Sequence, residues 1–304
     1  MWVILAFISA LCLGFYDVSK KIALRSNGVV NVLTTSVCIS SILLFIPLVL
    51  SRTMPDVMAG TPFYVPTLDL TGHLFTILKS CIVLSSWIFA YVALKHLPIS
   101  VVSPWQATRP VWTLIGAMIL FDERLNTWQW AGVTLAIGSI LLFSFTGHSQ
   151  RSKETSPTDH TYAICLALAI LIGACSGLYD KYMMRRYDHN AVQVYYTFYQ
   201  ALMMSVVWFI HRRKGLQKGT YTPLNTSSLL PIALISIFLV ISDNVYMLAL
   251  RDPESMIAVV STIRRGGAII GLAYGLLFLK EKDPWKKVLC MIGILAGLIC
   301  LAMG

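Results

Sequence analysis

The chain has 304 residues, of which 57% are hydrophobic and only 12% are charged. Soluble domains are about half apolar and a quarter charged, so this composition excludes an ordinary soluble protein and indicates a membrane protein. The net charge of +10 also occurs in nucleic-acid-binding proteins, but the basic residues here lie mainly between apolar segments. At those places they fix topology or meet anionic headgroups. We therefore expect a lipid bilayer as a partner and no nucleic acid.

Apolar stretches long enough to cross a bilayer recur along the whole chain and predict ten transmembrane helices. In chain order the predicted spans are 2–24, 29–50, 72–95, 97–120, 128–146, 161–184, 190–211, 229–250, 255–279 and 285–303. The polar stretch 147–160 separates the fifth span from the sixth and is predicted to be a linker. It divides the chain almost at its midpoint.

The two sides of this linker resemble each other in sequence. Residues 14–17 read Gly-Phe-Tyr-Asp in the first span, and residues 177–180 read Gly-Leu-Tyr-Asp in the sixth. At one constant offset, the first-half residues Ser100, Arg109 and Gly116 match Ser255, Arg264 and Gly271. The pattern predicts two five-helix repeats, residues 1–146 and 161–304.

An odd number of spans in each repeat makes the second repeat enter the membrane in the opposite sense. The predicted fold is therefore an all-α membrane protein, with ten transmembrane helices in two inverted repeats around a central cavity. An even total places both termini on one side. The distribution of lysine and arginine among the loops favours the outside for that side.

Several short motifs recur in order along both halves. The first half contains Tyr91-Val92-Ala93-Leu94-Lys95, then Ser100, Pro110, Glu123, Gln129, Gly132 and Gly138. The second half contains Ala249-Leu250-Arg251, then Ser255, Glu281, Gly293 and Gly297. With ten spans in two halves, the chain resembles the EamA-type transporters of the drug/metabolite transporter superfamily over essentially its whole length.

This resemblance implies a basket of ten helices, with spans 1, 3, 4, 6, 8 and 9 lining the cavity and spans 5 and 10 peripheral. It implies alternating-access transport of metabolites, often amino acids or their relatives, across a bacterial inner membrane. It also implies cytoplasmic termini, against the charge distribution. One departure is that the second half has Arg265 where the first has the family's proline, Pro110.

Two aspartates, Asp17 and Asp180, lie inside predicted spans at equivalent repeat positions, each after a tyrosine. An ionisable group at a helix centre costs roughly 2.5–3.5 kcal/mol on insertion scales, so it needs a function or a partner. One reading is a pair of acids that bind a substrate amine or a proton. The other is an internal ion pair with Lys20 or Lys181, of which only Lys20 has helical spacing to its aspartate.

Three arginines also lie inside spans: Arg109, its repeat mate Arg264, and Arg265. A guanidinium suits a carboxylate or phosphate, which predicts an anionic or zwitterionic substrate. Alternatively, these arginines clamp Asp17, Asp180 or Asp243 and hold helices together. We expect Glu123 and Glu281, which end spans four and nine, to be structural charges at helix termini.

Further polar side chains near mid-span predict either cavity lining or helix–helix hydrogen bonding. Asp243 and Asn244 in span eight lie at positions that correspond to the region of Trp87 in span three. Trp105 has the helical spacing to lie on the same helix face as Arg109. The candidate substrate-binding residues are Tyr16, Asp17, Trp87, Trp105, Gln106, Arg109, Tyr179, Asp180, Asp243, Asn244, Arg264 and Arg265.

No phosphate-binding loop, zinc-protease motif or serine-hydrolase motif is present, and the seven cysteines form no C-x-x-C pair. We therefore expect no cofactor, no metal and no enzymatic activity. The leading hypothesis is a secondary transporter of a small-molecule substrate, with a possible coupling proton. A lipid or polyprenyl-carrier flippase is the alternative within transport. An intramembrane enzyme and a non-transporting sensor are alternatives of another class.

Overall fold

A computed structural model describes residues 1–96, 105–106, 108–146, 157–217, 223–277 and 284–303. Within these ranges all regular structure is helical. The helices are α1 (Trp2–Leu24), α2 (Val29–Thr53), α3 (Pro55–Met58), α4 (Leu70–His96), α5 (Arg109–Phe121), α6 (Thr127–Thr146), α7 (Pro157–Met184), α8 (His189–Gln217), α9 (Leu229–Arg251), α10 (Ile257–Arg265), α11 (Ala268–Leu277) and α12 (Pro284–Met303), with a 3₁₀ turn at Thr226–Ser228.

The helices confirm an all-α membrane protein. By length and composition, α1, α2, α4, α7 and α9 contain segments long and apolar enough to cross a bilayer, and α5, α6 and α12 contain shorter apolar segments. The long helix α8 carries buried polar side chains, among them Asn190, Gln193 and Gln200. Most of the predicted start of span four, residues 97–104, lies outside the described residues, as do the first ten residues of the predicted linker, residues 147–156.

The predicted ninth span is not one continuous helix, because it breaks at Gly266 and Gly267 between α10 and α11. The break lies against α1: a Cβ added to Gly267 would lie 2.3 Å from the carbonyl oxygen of Ala10, and one added to Gly14 would lie 2.6 Å from the carbonyl oxygen of Gly267. The absence of a side chain at Gly267 thus allows the two helices to approach closely. Gly271 has no neighbour within 4 Å at its Cβ position.

Helices of the two sequence halves are interleaved. The first helix of each half packs most extensively against the third helix of the other, α1 against α9 and α7 against α4. The first helices also contact fourth helices, α7 touching α5 and α1 touching α10 and α11. Second-helix contacts follow the same pattern, because α2 packs on α9 and α8 on α4. We name α1, α2, α9, α10 and α11 bundle one, and α4, α5, α7 and α8 bundle two.

The fifth helices, α6 and α12, pack against each other through small residues. A Cβ on Gly132 would lie 2.7 Å from the carbonyl oxygen of Gly297, and one on Gly297 would lie 2.7 Å from the backbone nitrogen of Ala136. Backbones approach this closely only where side chains are absent or minimal.

Buried polar contacts close the end of the molecule that carries the N-terminus. The Glu123 carboxylate accepts hydrogen bonds from the backbone N–H groups of Ile257 (2.7 Å) and Ala258 (3.1 Å) at the start of α10. The Lys181 ammonium lies 3.6 Å from Glu123 and donates to the backbone oxygen and hydroxyl of Ser255. Glu123 therefore has the structural role that we expected; its repeat mate Glu281 lies outside the described residues.

Candidate functional site

A cavity of about 450 Å³ lies between the two bundles. Sites that enclose small molecules have volumes of about 300–1,000 Å³. Bundle one supplies lining residues from α1, α2, α9 and α10, and bundle two supplies them from α4, α5, α7 and α8. The charged lining side chains are Asp17, Lys20, Lys79, Arg109, Asp180, Asp243, Arg264 and Arg265.

One buried ion pair joins α4 to α7 in the lining of this cavity. The Lys79 ammonium of α4 donates to one carboxylate oxygen of Asp180 on α7, and the two side chains are 3% and 10% exposed. The Tyr246 hydroxyl of α9 donates to the other oxygen at 3.3 Å. Both oxygens of Asp180 therefore have partners. The partner is Lys79, so the alternative pairing of Asp180 with Lys181 is wrong.

A second ion pair joins α9 to α10. Arg264 donates to Asp243 at 2.8 Å and to the hydroxyl of Ser242 at 3.3 Å. Its guanidinium also lies 4.0 Å from the centre of the Tyr246 ring, within cation–π range. This arrangement matches the alternative in which an arginine clamps Asp243 and holds helices together.

Among the described residues, none of the remaining charged side chains has an ion-pair partner within 4 Å. Asp17 is exposed to the cavity, and the Lys20 ammonium lies 5.5 Å from the centre of the Tyr16 ring. Arg109 donates to the backbone oxygen of Gly173, a neutral acceptor. Arg265 lines the cavity, and among the described side chains no hydrogen-bond or ion-pair partner is found for it.

Comparison with known proteins bears on this architecture. Residues 1–145 match the model of the EamA-like transporter family. These residues are just under half of the 304-residue chain. That family is part of the drug/metabolite transporter superfamily, and the resemblance drawn from the motifs is confirmed. Together with the apolar helices, this match supports an integral membrane protein and suggests a membrane transporter of that superfamily.

A solved structure has the same fold. A chain described only as "Crystal structure of protein" aligns with 99% of the EamA-like chain and 96% of its own length, with a TM-score of 0.75 and 11% sequence identity. At that identity the likeness concerns the fold alone. The search of curated proteins found no match.

Nine of the predicted substrate-binding residues line the cavity of the EamA-like chain. They are Tyr16, Asp17, Trp87, Gln106, Arg109, Asp180, Asp243, Arg264 and Arg265. The sequence repeat located most of them, because it drew attention to matched polar residues inside apolar spans. Their role in binding stays a prediction.

Trp105 does not line the cavity of the EamA-like chain, and its side chain is 44% exposed. The prediction assumed a continuous helix from Trp105 to Arg109. Instead, the backbone oxygen of Trp105 accepts from the backbone N–H of Thr108 at 3.1 Å and from its hydroxyl at 2.7 Å, and α5 begins at Arg109. A turn there removes the spacing that would have aligned the two side chains.

Tyr179 and Asn244 are also absent from the lining. The Tyr179 hydroxyl donates to the backbone oxygen of Phe75 at 3.1 Å, which ties α7 to α4. Asn244 donates to Asn190 at 2.9 Å and to Gln193 at 2.8 Å on α8. For Asn244 the structure favours the alternative of helix–helix hydrogen bonding.

The candidate substrate-binding residues did not include four charged or aromatic lining residues: Lys20, Lys79, Tyr196 and Tyr246. The Lys79 ammonium lies 4.5 Å from the centre of the Tyr196 ring as well as against Asp180. Its signal in the sequence was its position as a lysine inside an apolar span. Tyr196 and Leu33 add the second helix of each half to the lining spans that the resemblance implied.

Proposed function

We propose that this chain is a secondary transporter that moves small polar metabolites, amino-acid-like and zwitterionic or anionic, by alternating access across a bacterial inner membrane. The observation that carries the proposal is the 450 Å³ cavity, which holds eight charged side chains between bundles of membrane-spanning helices. Charged groups inside a membrane face a bundle interior and mark substrate or ion pathways. Asp17, the carboxylate without an ion-pair partner, is the candidate site for a coupling proton.

Within this proposal, residues 1–146 and 161–304 are inverted repeats joined by the linker 147–160. The helix contacts support it, because exchanging the halves turns the pairing of α1 with α9 into that of α7 with α4. The same exchange maps the α2–α8 and α6–α12 contacts onto themselves. A two-fold axis in the membrane plane gives one chain two equivalent arrangements, one open to each side.

Alternating access also requires that the cavity is closed on one side of the membrane, and the contacts at the end that carries the N-terminus support this. Besides Glu123 and Lys181, Arg251 pairs with Asp188 at 2.9 Å, and Asn190 donates to the backbone oxygen of Pro62 at 2.8 Å. These contacts link helices of both bundles on the side of the termini. We infer that the structure is the state closed on that side.

Transport into proteoliposomes tests the proposed function. Purified protein would be assayed with a panel of ¹⁴C-labelled amino acids and dicarboxylates, with and without a proton gradient, against empty liposomes. We expect uptake of at least one compound and at least tenfold slower uptake for Asp17→Asn and Arg109→Gln. Asp122→Asn serves as the control, because Asp122 is 81% exposed in a loop.

Two outcomes would count against this function. Uptake at the wild-type rate in both cavity variants would remove Asp17 and Arg109 from the pathway. Movement of fluorescent lipid without uptake of any compound in the panel would favour a flippase.

A further inference from the structure

The charges that line the cavity do not balance. Five of the eight side chains are basic and three are acidic. Two acids are already neutralised, Asp180 by Lys79 and Asp243 by Arg264. What remains is one carboxylate, Asp17, against the three cations Lys20, Arg109 and Arg265. The free part of the site therefore carries an excess of two positive charges.

The three free cations are incompletely satisfied. A guanidinium has five N–H donors, and the recorded acceptor for Arg109 is the backbone oxygen of Gly173. No acceptor for Arg265 is found among the described residues, and Lys20 donates a hydrogen bond to Tyr16, an acceptor without negative charge. Gly173 itself is part of the arrangement, because a Cβ there would lie 2.7 Å from the Arg109 guanidinium carbon.

These cations also come from opposite walls. Arg109 extends from α5 of bundle two, whereas Lys20 and Arg265 extend from α1 and α10 of bundle one. Like charges facing one another in a medium of low dielectric constant repel strongly. An anion between them relieves the repulsion and joins the two bundles. Arginine is suited to that role because it binds carboxylate and phosphate with two parallel hydrogen bonds.

We propose that the cavity selects small molecules of net negative charge, whose carboxylate or phosphate group binds between Arg109 and Arg265 beside Lys20. Asp17 receives an ammonium or hydroxyl group of the same molecule, and a net cationic molecule is rejected. This inference rests on the proposed transport function and specifies its substrate class.

Binding to the purified full chain in detergent tests the inference without transport. Thermal stabilisation would be measured with succinate, sn-glycerol 3-phosphate, L-glutamate, L-alanine and L-lysine, because a ligand stabilises the state that it binds. We expect at least one of the three anions to bind at least tenfold more tightly than L-alanine, and L-lysine to give no stabilisation. The comparison of succinate with glycerol phosphate separates the carboxylate from the phosphate.

Variants locate the site. Arg265→Gln and Arg109→Gln should each weaken binding of the best anion at least tenfold, and Arg265→Lys should weaken it less. Arg124→Gln is the control, because Arg124 is 85% exposed in a loop. Melting temperatures without ligand identify any variant that fails to fold. If a glutamine variant fails to fold, the affinity of Arg265→Lys for the best anion is compared with that of the wild type instead.

Three results would overturn the inference: L-alanine or L-lysine binding as tightly as the anions, unchanged affinity in both glutamine variants, or no stabilisation by any anion up to roughly 10 mM, well above typical KM values. The proposed function fails separately. Anion binding without uptake in proteoliposomes would contradict transport but would still support the charge selectivity. Efficient uptake of neutral amino acids would support transport but contradict the charge selectivity.

Discussion

At the scale of single residues, the matching aspartates of the two sequence halves have different environments. Asp17 is exposed to the cavity, whereas Asp180 is buried and paired. The sequence located both, because an acid inside an apolar span is conspicuous. It did not reveal the partner of Asp180, since Lys79 lies 101 residues away on another helix and no helical spacing connects them.

This difference predicts opposite stability effects. Lys79→Met leaves the Asp180 carboxylate buried without its counter-charge, and breaking a buried pair costs about 3–5 kcal/mol. Asp17→Asn should change the free energy of unfolding by less than about 1 kcal/mol, because its side chain forms no ion pair with any described residue. Unfolding by SDS in mixed micelles measures both. The double variant Lys79→Met/Asp180→Leu should recover part of the loss, and Lys79→Met as stable as Asp17→Asn would contradict the pairing.

A second prediction concerns the position of the Arg109 guanidinium. Gly173→Ala places a methyl group 2.7 Å from its central carbon, whereas the matched change Gly177→Ala on the same helix meets nothing closer than 3.9 Å. Gly173→Ala should weaken binding of the best anionic probe about tenfold, or about 1.4 kcal/mol. Gly177→Ala should bind as the wild type does. Equal affinity in the two variants would show that Arg109 can move without loss.

At the scale of elements, a side chain of the first half caps a helix of the second. Glu123 follows Asp122, whose left-handed backbone (φ of 50°) ends α5. The turn directs the carboxylate of Glu123 to the free N–H groups at the start of α10, where negative charge also stabilises the helix dipole. α10 carries Arg264 and Arg265, so this cap holds the helix that positions them.

We expect Glu123→Gln to destabilise the protein by about 1–3 kcal/mol. The amide keeps one acceptor for an N–H group but loses the charge that pairs with Lys181. Glu254→Gln, an exposed change in the loop that precedes α10, is the control. Unfolding in mixed micelles measures the difference, and hydrogen exchange at Ile257 and Ala258 should accelerate in Glu123→Gln alone. Unchanged exchange there would exclude the capping role.

In the loop between α7 and α8, the carboxylate of Asp188 likewise accepts hydrogen bonds from backbone N–H groups at the start of a helix. Asp188 accepts hydrogen bonds from the backbone N–H groups of Asn190 and Ala191 and pairs with Arg251 of α9. Partial burial would raise the pKa of Asp188, but His189, the N–H of Ala191 and Arg251 outweigh it and hold the pKa below its ordinary value. The ionised form is therefore favoured in the folded protein.

A lowered pKa in the folded state stabilises the protein above the unfolded pKa of about 3.9, and the contribution is lost as the pH falls through the folded value. The melting temperature should thus fall by about 2 °C more between pH 6 and pH 3 in the wild type than in Asp188→Asn. Asp56→Asn, an exposed change in the short helix α3, should follow the wild type. Parallel pH profiles for Asp188→Asn and the wild type would refute the linkage.

At the scale of the whole molecule, the sequence predicted helices, membrane class and family, because these depend on local apolarity and motif order. It did not predict how the helices of the two sequence halves pack against each other. The pairing of α1 with α9 depends on long-range contacts such as the hydrogen bond between Ser9 and Ser242, and no local pattern encodes them. Bundle one thus contains helices of both halves, and so does bundle two.

On the proposed alternating-access mechanism, we predict that bundles one and two, rather than the sequence halves, are the moving bodies. Ser9 and Ser242 both belong to bundle one, with hydroxyl oxygens 3.1 Å apart, whereas Asn190 of α8 and Asn244 of α9 join the two bundles at the closed end. In a chain without its native cysteines, a Ser9→Cys/Ser242→Cys bridge should leave the motion intact. A bridge of Asn190→Cys to Asn244→Cys through a short bifunctional thiol reagent should stop it.

The readout is a further cysteine at Ser176, which lines the cavity. A membrane-impermeant maleimide added on the side of the termini reaches it only when the closed end opens. Labelling should continue with the first bridge and fall at least tenfold with the second. Equal loss with both bridges would mean that α1 moves relative to α9, so that the sequence halves rather than the mixed bundles rock against each other. Because the readout needs no substrate, it tests the motion even where the transported molecule is unknown.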